Sequence, residues 1–500
     1  MNTVSQIIGL NWIVIGPTLA LVGTALVLLF CTITINTSDN VKKVVTISGI
    51  FMTLFTIFLK FGLFSTAGPS SYFSEKILLD EFSLFGNVLL GLVLLLNFYP
   101  IWNSSFELKD KTTEAIILTL MSTAGFMLMV DSENFMMLFI GLEIGSISLY
   151  ALAGINKGSL LSNEASLKYF LLGSLASCVL VYGISLMYVS LSITGVYETT
   201  IAISFIGIEN IPLTTLVGIL LLIIGLLFKV AAAPFQSWAP DVYQGSPTGY
   251  VGFMAATAKV ASFVVLARLC IVSLGLVMDK FELFFSAIII LSILIGSLFA
   301  TVQTDMKRLI AYSGVIQSGF ILSGITSGVN GTSASLFYLA AYIVQLIGIF
   351  LIFSVITGEL SSDFSMENLS GLFIENKYLS ICFSIFMLGL AGLPLTSGFV
   401  SKFILITNLW SYEKYILVFA LMLSTVAGFY FYLKPIWIAA IDEPENSVPP
   451  IQLKLNDKIS VGVLAGLTIT LGLFPNILIN ISRWVLYPAL RQQYRLQNPG

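Results

Sequence analysis

Residues 225–241 read GLLFKVAAAPFQSWAPD, and residues 388–403 read LGLAGLPLTSGFVSKF. Each begins as an apolar helix, and each is interrupted: Pro234 falls five residues after Lys229, and Gly392 with Pro394 precedes Lys402. A proline inside a helix removes a backbone hydrogen bond and clashes with the preceding turn, at a cost of about 3 kcal/mol. Non-helical backbone at bilayer depth is tolerated only beside protein or a wet cavity. Two such breaks at corresponding places in two halves point to an inverted-repeat transporter. For either break alone the alternative is an ordinary proline kink, and the lysine close to each argues against it.

The surrounding sequence places these breaks in a membrane. The 500 residues are 57% hydrophobic and 10% charged, with mean hydropathy +0.98, whereas soluble chains carry about 25% charged residues. Apolar runs of about 20 residues mark spans. Fourteen are read, among them 114–131, 134–154, 213–232, 247–273, 376–406 and 458–478. The expected fold is an all-α polytopic bundle forming one integral domain over 1–500. Three N-terminal helices occupy 1–113. Residues 114–273 (helices four to eight) and 274–440 (helices nine to thirteen) form two inverted five-helix repeats with helices seven and twelve broken. Helix fourteen and a tail occupy 441–500. The N-terminus lacks a basic segment followed by a cleavage site, so the first span is expected to stay as an anchor.

Lysine and arginine set the orientation. Odd-numbered loops hold Lys42, Lys43, Lys109, Lys111, Lys157, Lys307, Arg308, Lys377, Lys454 and Lys458, whereas even-numbered loops hold Lys76, Lys280 and Lys414. This bias puts the odd loops in the cytoplasm and both termini on the other side, although Arg483, Arg491 and Arg495 in the tail oppose it.

Several chemistries are excluded. With 23 Lys+Arg against 26 Asp+Glu, the charge balance speaks against nucleic acid. There is no histidine, and Cys31, Cys178, Cys270 and Cys382 stand singly without CxxC spacing, so iron–sulfur, zinc and haem ligation are not expected. No Walker-type loop, GxGxxG after a strand, or HExxH occurs.

What remains is a set of ionisable side chains inside spans: Glu143, Lys229, Lys259 and Lys402. An ionised group at mid-bilayer costs roughly 2.5–3.5 kcal/mol even on the lenient insertion scale, so these must face protein or water. Lysine can give up a proton when buried, and arginine cannot. A Glu143–Lys229 pair across helices would satisfy both groups. The plainer alternatives are a static buried ion pair for Glu143 and, for the lysines, snorkelling to the interface. Lys60 and Lys434, towards span ends, are read as snorkelling. Arg268 is too basic to release a proton. Glu164 and Lys168, at i and i+4, suit a local ion pair.

The tract FKVAAAPFQSWAPDVYQGSP followed by TAKVASF, together with SNEASLKYFLLG, VQTDMKRLIAYSGVIQSG and GLAGLPLTSGFVSKF, resembles subunit N of NADH-quinone oxidoreductase (respiratory complex I) and its organellar subunit 2 relatives. The likeness runs from about residue 114 to 440. It implies a fourteen-helix bundle in which a glutamate in span five, lysines in spans seven and eight and a lysine in span twelve carry protons. Those positions are Glu143, Lys229, Lys259 and Lys402. It further implies that quinone reduction in other subunits drives the protons, and that NADH, flavin, Fe–S clusters and quinone belong to those partners while this chain binds none of them. Expected partners are other membrane subunits, antiporter-like and small, and the lipid bilayer. The expected location is the bacterial plasma membrane, or an organelle inner membrane or thylakoid. One departure stands out: relatives commonly carry histidine where this chain has Gln317, which can orient water but cannot hold a proton near neutrality. Gln345 is a further polar group, best suited to a structural hydrogen bond. A cation/proton antiporter subunit or free-standing carrier is the competing function, and a scaffold that has lost pumping is a third.

Overall fold

The computed structural model describes residues 11–35, 38–107, 111–357, 364–442 and 453–486. Among the described residues, ten helices are long and apolar enough to cross a membrane, and eleven if Leu455–Leu473 and Asn476–Val485, bent by 81°, count as one span. The sequence expectation of fourteen exceeds this by three segments, each for a physical reason. Two are broken: Leu213–Lys229 with Trp238–Gly245, and Lys377–Ala391 with Ser397–Ser411. Their halves are too short to span. The third, Met306–Ile325, carries Lys307, Ser313, Gln317 and Ser318, all buried in protein rather than offered to lipid.

The order of elements runs twice. Thr112–Asp131 turns tightly into Phe135–Ala153, then come the 32-residue helix Leu160–Leu191, the first broken helix and Thr248–Arg268. Likewise Glu282–Thr301 turns into Met306–Ile325, followed by the 30-residue helix Gly328–Thr357, the second broken helix and Tyr415–Ile441. Five crossings is an odd number, so the second series starts from the opposite face. Thr248–Arg268 is buried at every residue, as a helix apolar all round must be. It packs against Glu81–Glu107 on one side and Gly328–Thr357 on another, so it joins the N-terminal helices to both series. A two-stranded ribbon, Ser70–Tyr72 with Ile77–Leu79, is the β element among the described residues.

The expectation for Lys60 is corrected. Its side chain is fully buried and its Nζ lies 2.6 Å from Asp131. Asp131 also accepts from Asn87 at 2.7 Å. An inward-facing carboxylate across the helix boundary makes an inward lysine favourable and removes the reason to snorkel. Arg268 is equally buried, paired at 2.6 Å with Asp80 and donating to the Val130 carbonyl at 2.7 Å. Lys434 is half-buried. Lys109, Arg491 and Arg495, used for the orientation, and both chain termini lie outside the described residues.

Candidate functional site

Helix Phe135–Ala153 is started by the Asn134 side chain, which accepts from the Met136 amide at 2.8 Å. Its Gly141 and Gly145 lie so close to Gly125 of the preceding helix that a Cβ at any of the three would strike backbone or ring atoms. That close approach fixes the rotation of the helix and turns Ser146 and Tyr150 towards the interior, with Glu143 at the edge of the same stripe. Glu143 is half-buried and accepts a hydrogen bond from the Ser177 hydroxyl of Leu160–Leu191.

Lys229, 2% exposed, is the last residue of its half-helix, where a cation meets the negative end of the helix dipole. Its Nζ donates to Ser146 Oγ at 3.0 Å and to Tyr150 Oη at 2.9 Å. No ion pair within 4.0 Å joins it to Glu143, so the direct pair expected from sequence is not closed. Two hydroxyls on the same helical stripe stand nearer, and Glu143 turns to Ser177. The Glu143 charge remains within electrostatic reach of Lys229.

Beyond Lys229 the chain leaves the helix, with Ala231 at φ 56°. The freed backbone groups find side chains: the Ala233 amide donates to Ser292 Oγ at 2.9 Å, and Ser318 Oγ to the Val230 carbonyl at 2.7 Å. Trp238 Nε1 reaches the Phe228 carbonyl at 3.1 Å and so ties one half-helix to the other. The break is therefore a polar, protein-lined structure rather than a lipid-facing kink.

Ser318 also lies 2.9 Å from the Gly314 carbonyl, and that carbonyl accepts from Lys259 Nζ at 2.6 Å. Lys259 is 3% exposed and reaches Tyr342 Oη at 3.3 Å. One turn further along Met306–Ile325, Gln317 accepts from the Tyr338 hydroxyl and donates to Tyr432 Oη at 3.1 Å, and Tyr432 also bonds Ser313. Gln317 is thus held at both ends by phenols. Gln345 donates to Ser397 Oγ at 3.0 Å, the expected structural bond, at the start of the second half of the other broken helix.

Lys402 is 6% exposed. Its Nζ donates to the carbonyls of Leu390 and Ala391, both at 2.9 Å. These end the half-helix Lys377–Ala391, which is closed by Gly392 at φ 87°. A left-handed residue after a helix favours glycine, which lacks the clashing Cβ. Phe320 lies under the Lys402 ammonium at 5.1 Å and stacks on Tyr338, so one ring stands between Lys402 and the Gln317 network to which Tyr338 belongs.

The structure brings Glu143 and Lys229 to one helix interface, Lys259 to the next and Lys402 to the second break; the three lysines are buried in protein and Glu143 is half-buried. Snorkelling is excluded for the three lysines. The sequence reading missed Ser146, Tyr150, Tyr338, Tyr342, Tyr432 and Ser318. Spacing could have found some of them: Ser146 and Tyr150 follow Glu143 by three and seven residues, and Tyr342 and Gln345 follow Tyr338 by four and seven. Nothing in the sequence ties Tyr432 to Gln317.

At one membrane face, Asp241 accepts from Lys168 at 2.6 Å and from Arg308 at 2.7 Å, and the expected Glu164–Lys168 pair is present at 2.6 Å. Burial acts to lift the Asp241 carboxyl, but hydrogen bonds and charge from Lys168 and Arg308 outweigh it and hold it below the usual carboxylate range.

Two broken helices in repeated five-helix series, with buried lysines at their breaks, define an antiporter-like membrane subunit. Residues 132–428 match the family described as NADH:quinone oxidoreductase/Mrp antiporter, TM. Subunit N 1 of NADH-quinone oxidoreductase from Solibacter usitatus is 33% identical over 472 residues, 92% of each chain. The chloroplast NAD(P)H-quinone oxidoreductase subunit 2 of Mesostigma viride is 37% identical over 68% of each. Among solved structures, a chain of respiratory complex I from Thermus thermophilus superimposes with TM-score 0.78 at 26% identity, covering 93% of this chain and 98% of that one. A chain of the Mrp complex from Dietzia shares the fold, with TM-score 0.78 at 19% identity over 94% of this chain and 96% of that one. The chain belongs to the subunit N/subunit 2 family of NADH-quinone oxidoreductases. It is an integral, multi-pass membrane protein.

Proposed function

We propose that this chain is a proton-translocating membrane subunit of an NADH-quinone oxidoreductase, with Glu143, Lys229, Lys259 and Lys402 as the groups that move protons. The observation that carries the reading is what the buried lysines bond to. Hydroxyls and backbone carbonyls receive all three ammonium groups. A lysine locked to a carboxylate is held in its charged form, whereas these partners serve an ammonium and a neutral amine alike. Their protons can leave when a nearby charge changes.

Lys229 holds a proton while Glu143 is ionised. A charge displacement that neutralises or shields Glu143 withdraws that support, and the Lys229 ammonium gives its proton, through water at the helix break, to the Lys259 amine. Gln317, fixed between Tyr338 and Tyr432, orients water for the step towards Lys402. Quinone reduction in partner subunits drives the cycle, and those subunits hold the NADH, flavin, Fe–S and quinone sites. The membrane would be a bacterial plasma membrane or its organellar counterpart, with the lysine-rich loops in the cytoplasm and both termini opposite. A cation/proton antiporter draws on the shared Mrp fold, but among the described residues no three acidic or thiol side chains converge as cation ligands.

The test is Glu143→Gln in the assembled complex in proteoliposomes, reading protons moved per NADH oxidised. The expected result is fewer protons at an intact rate of quinone reduction. Unchanged pumping removes the assignment.

A further inference from the structure

A second group of ionisable residues lies away from the lysine axis. A cavity of about 850 Å³ is bounded by Ser71, Glu75, Glu81, Glu133, Asn134 and Glu198. Its walls come from the turns after the second, fourth and sixth spans, so it opens on the face opposite the lysine-rich loops. Glu75 and Glu198 are exposed at the rim, while Glu81 and Glu133 are buried, at 6% and 5%.

Glu133 is held rigidly. Its backbone amide donates to the Lys76 carbonyl at 3.0 Å, its carbonyl accepts from the Val196 amide at 2.7 Å, and its Oε1 accepts from the Tyr197 amide at 2.9 Å. Its Oε2 is buried in the cavity wall without a hydrogen-bond partner. An ionised oxygen in that position is costly, and a protonated one costs far less. Among the described residues no three carboxylates come together as metal ligands, which favours a proton over a metal ion as the occupant.

We propose that this acidic cavity is a proton-exchange vestibule in which Glu133 Oε2 takes a proton from hydronium, leaving water, and returns it to the aqueous phase. Four charged neighbours set its poise: Arg268 and Asp80 behind it, Glu81 beside it and Glu198 at the rim. Burial lifts the Glu133 carboxyl to about 7, with Tyr197 and Arg268 acting downward and Asp80 and Glu198 upward. Behind Glu133, the Arg268–Asp80 pair is electrostatically coupled to Lys60 and Asp131, so each protonation is felt by the buried charges joining the N-terminal helices to the first repeat.

The experiment is infrared difference spectroscopy on the purified complex at rest, titrated from about pH 5 to 9. Without turnover, its outcome is independent of whether Lys229 and its partners pump. The expected result is one carboxyl titrating near 7 that is missing in Glu133→Gln and shifted to lower pH in Glu198→Gln. The downshift is a response that a purely structural glutamate would not give. Superimposable parent and Glu133→Gln spectra overturn the proposal. So does titration with ordinary carboxylates below about pH 5, or loss of the signal in millimolar calcium, which would make this a cation site. If Glu133→Gln fails to assemble, the Glu198→Gln shift decides alone.

Discussion

Replacing Asp131 by leucine strands the Lys60 ammonium in a site closed to bulk solvent. The two side chains are 1% and 0% exposed and 2.6 Å apart, and Asn87 supplies a second donor to the same carboxylate oxygen. Removing one partner of such a pair costs about 3–5 kcal/mol, because the other charge stays buried and unpaired. Lys60→Met sits at the lower end, since Asn87 still serves Asp131. Asp131→Leu sits at the upper end, since both Lys60 and the Asn87 amide lose their acceptor. In the double variant only the Asn87 amide is stranded, at about 1–3 kcal/mol, so most of the loss is recovered. The assay is unfolding in detergent followed with a thiol-reactive dye. Cys270 and Cys382 are buried and report the core, once exposed Cys178 and half-buried Cys31 are replaced by serine. A double variant as unstable as the sum of the singles would show that the two groups do not interact. Silent single variants would show that the site is solvated.

Tyr150→Phe combined with Ser146→Ala removes both hydroxyl acceptors of Lys229, and the rate of proton transfer through this subunit should fall by at least about tenfold, each charge-assisted hydrogen bond being about 1.5–3 kcal/mol. Quinone reduction should be spared, and equal losses of both would refute the assignment. Gln317→Leu should slow pumping, whereas Gln317→His should sustain or raise it; the two are compared in the same vesicles. Raising pH from about 4.5 to 7 ionises Glu133 in the unfolded chain before the folded one, so the parent loses stability across that window, by at most about 3 kcal/mol. Glu133→Gln escapes this loss, so its midpoint relative to the parent should climb with pH and level off above 7. Asp241, held low by Lys168 and Arg308, contributes above the usual carboxylate value and loses that contribution as pH falls through its folded one. Asp241→Asn should cost about 0.5–1 kcal/mol at neutral pH and nothing in strong acid.

The two breaks were legible because proline and glycine act locally: Pro234 removes a backbone donor, and Gly392 takes without strain the positive φ that closes a helix. The burial of Lys229, Lys259 and Lys402 was legible because lipid penalises charge. Lys60 was misread for the opposite reason. Near a span end both outcomes are locally open, and what decides is a carboxylate 71 residues away. The Glu143–Lys229 contact failed likewise, since opposite charge predicts attraction but not whether Ser146, Tyr150 and Ser177 stand closer.

Composition, apolar run length and the position of helix breakers determined by themselves that this chain crosses a membrane many times, with two interrupted helices and three lysines kept from lipid. Those properties follow from the cost of exposing charge or bare backbone to hydrocarbon, which each segment meets alone. Which hydroxyl or carbonyl receives each ammonium, and the meeting of Glu133, Asp80, Arg268, Lys60 and Asp131 at one seam, were decided only by the packing of distant helices. Hydrogen bonds reach about 3 Å, and no spacing along the chain encodes a distance so short between residues so far apart.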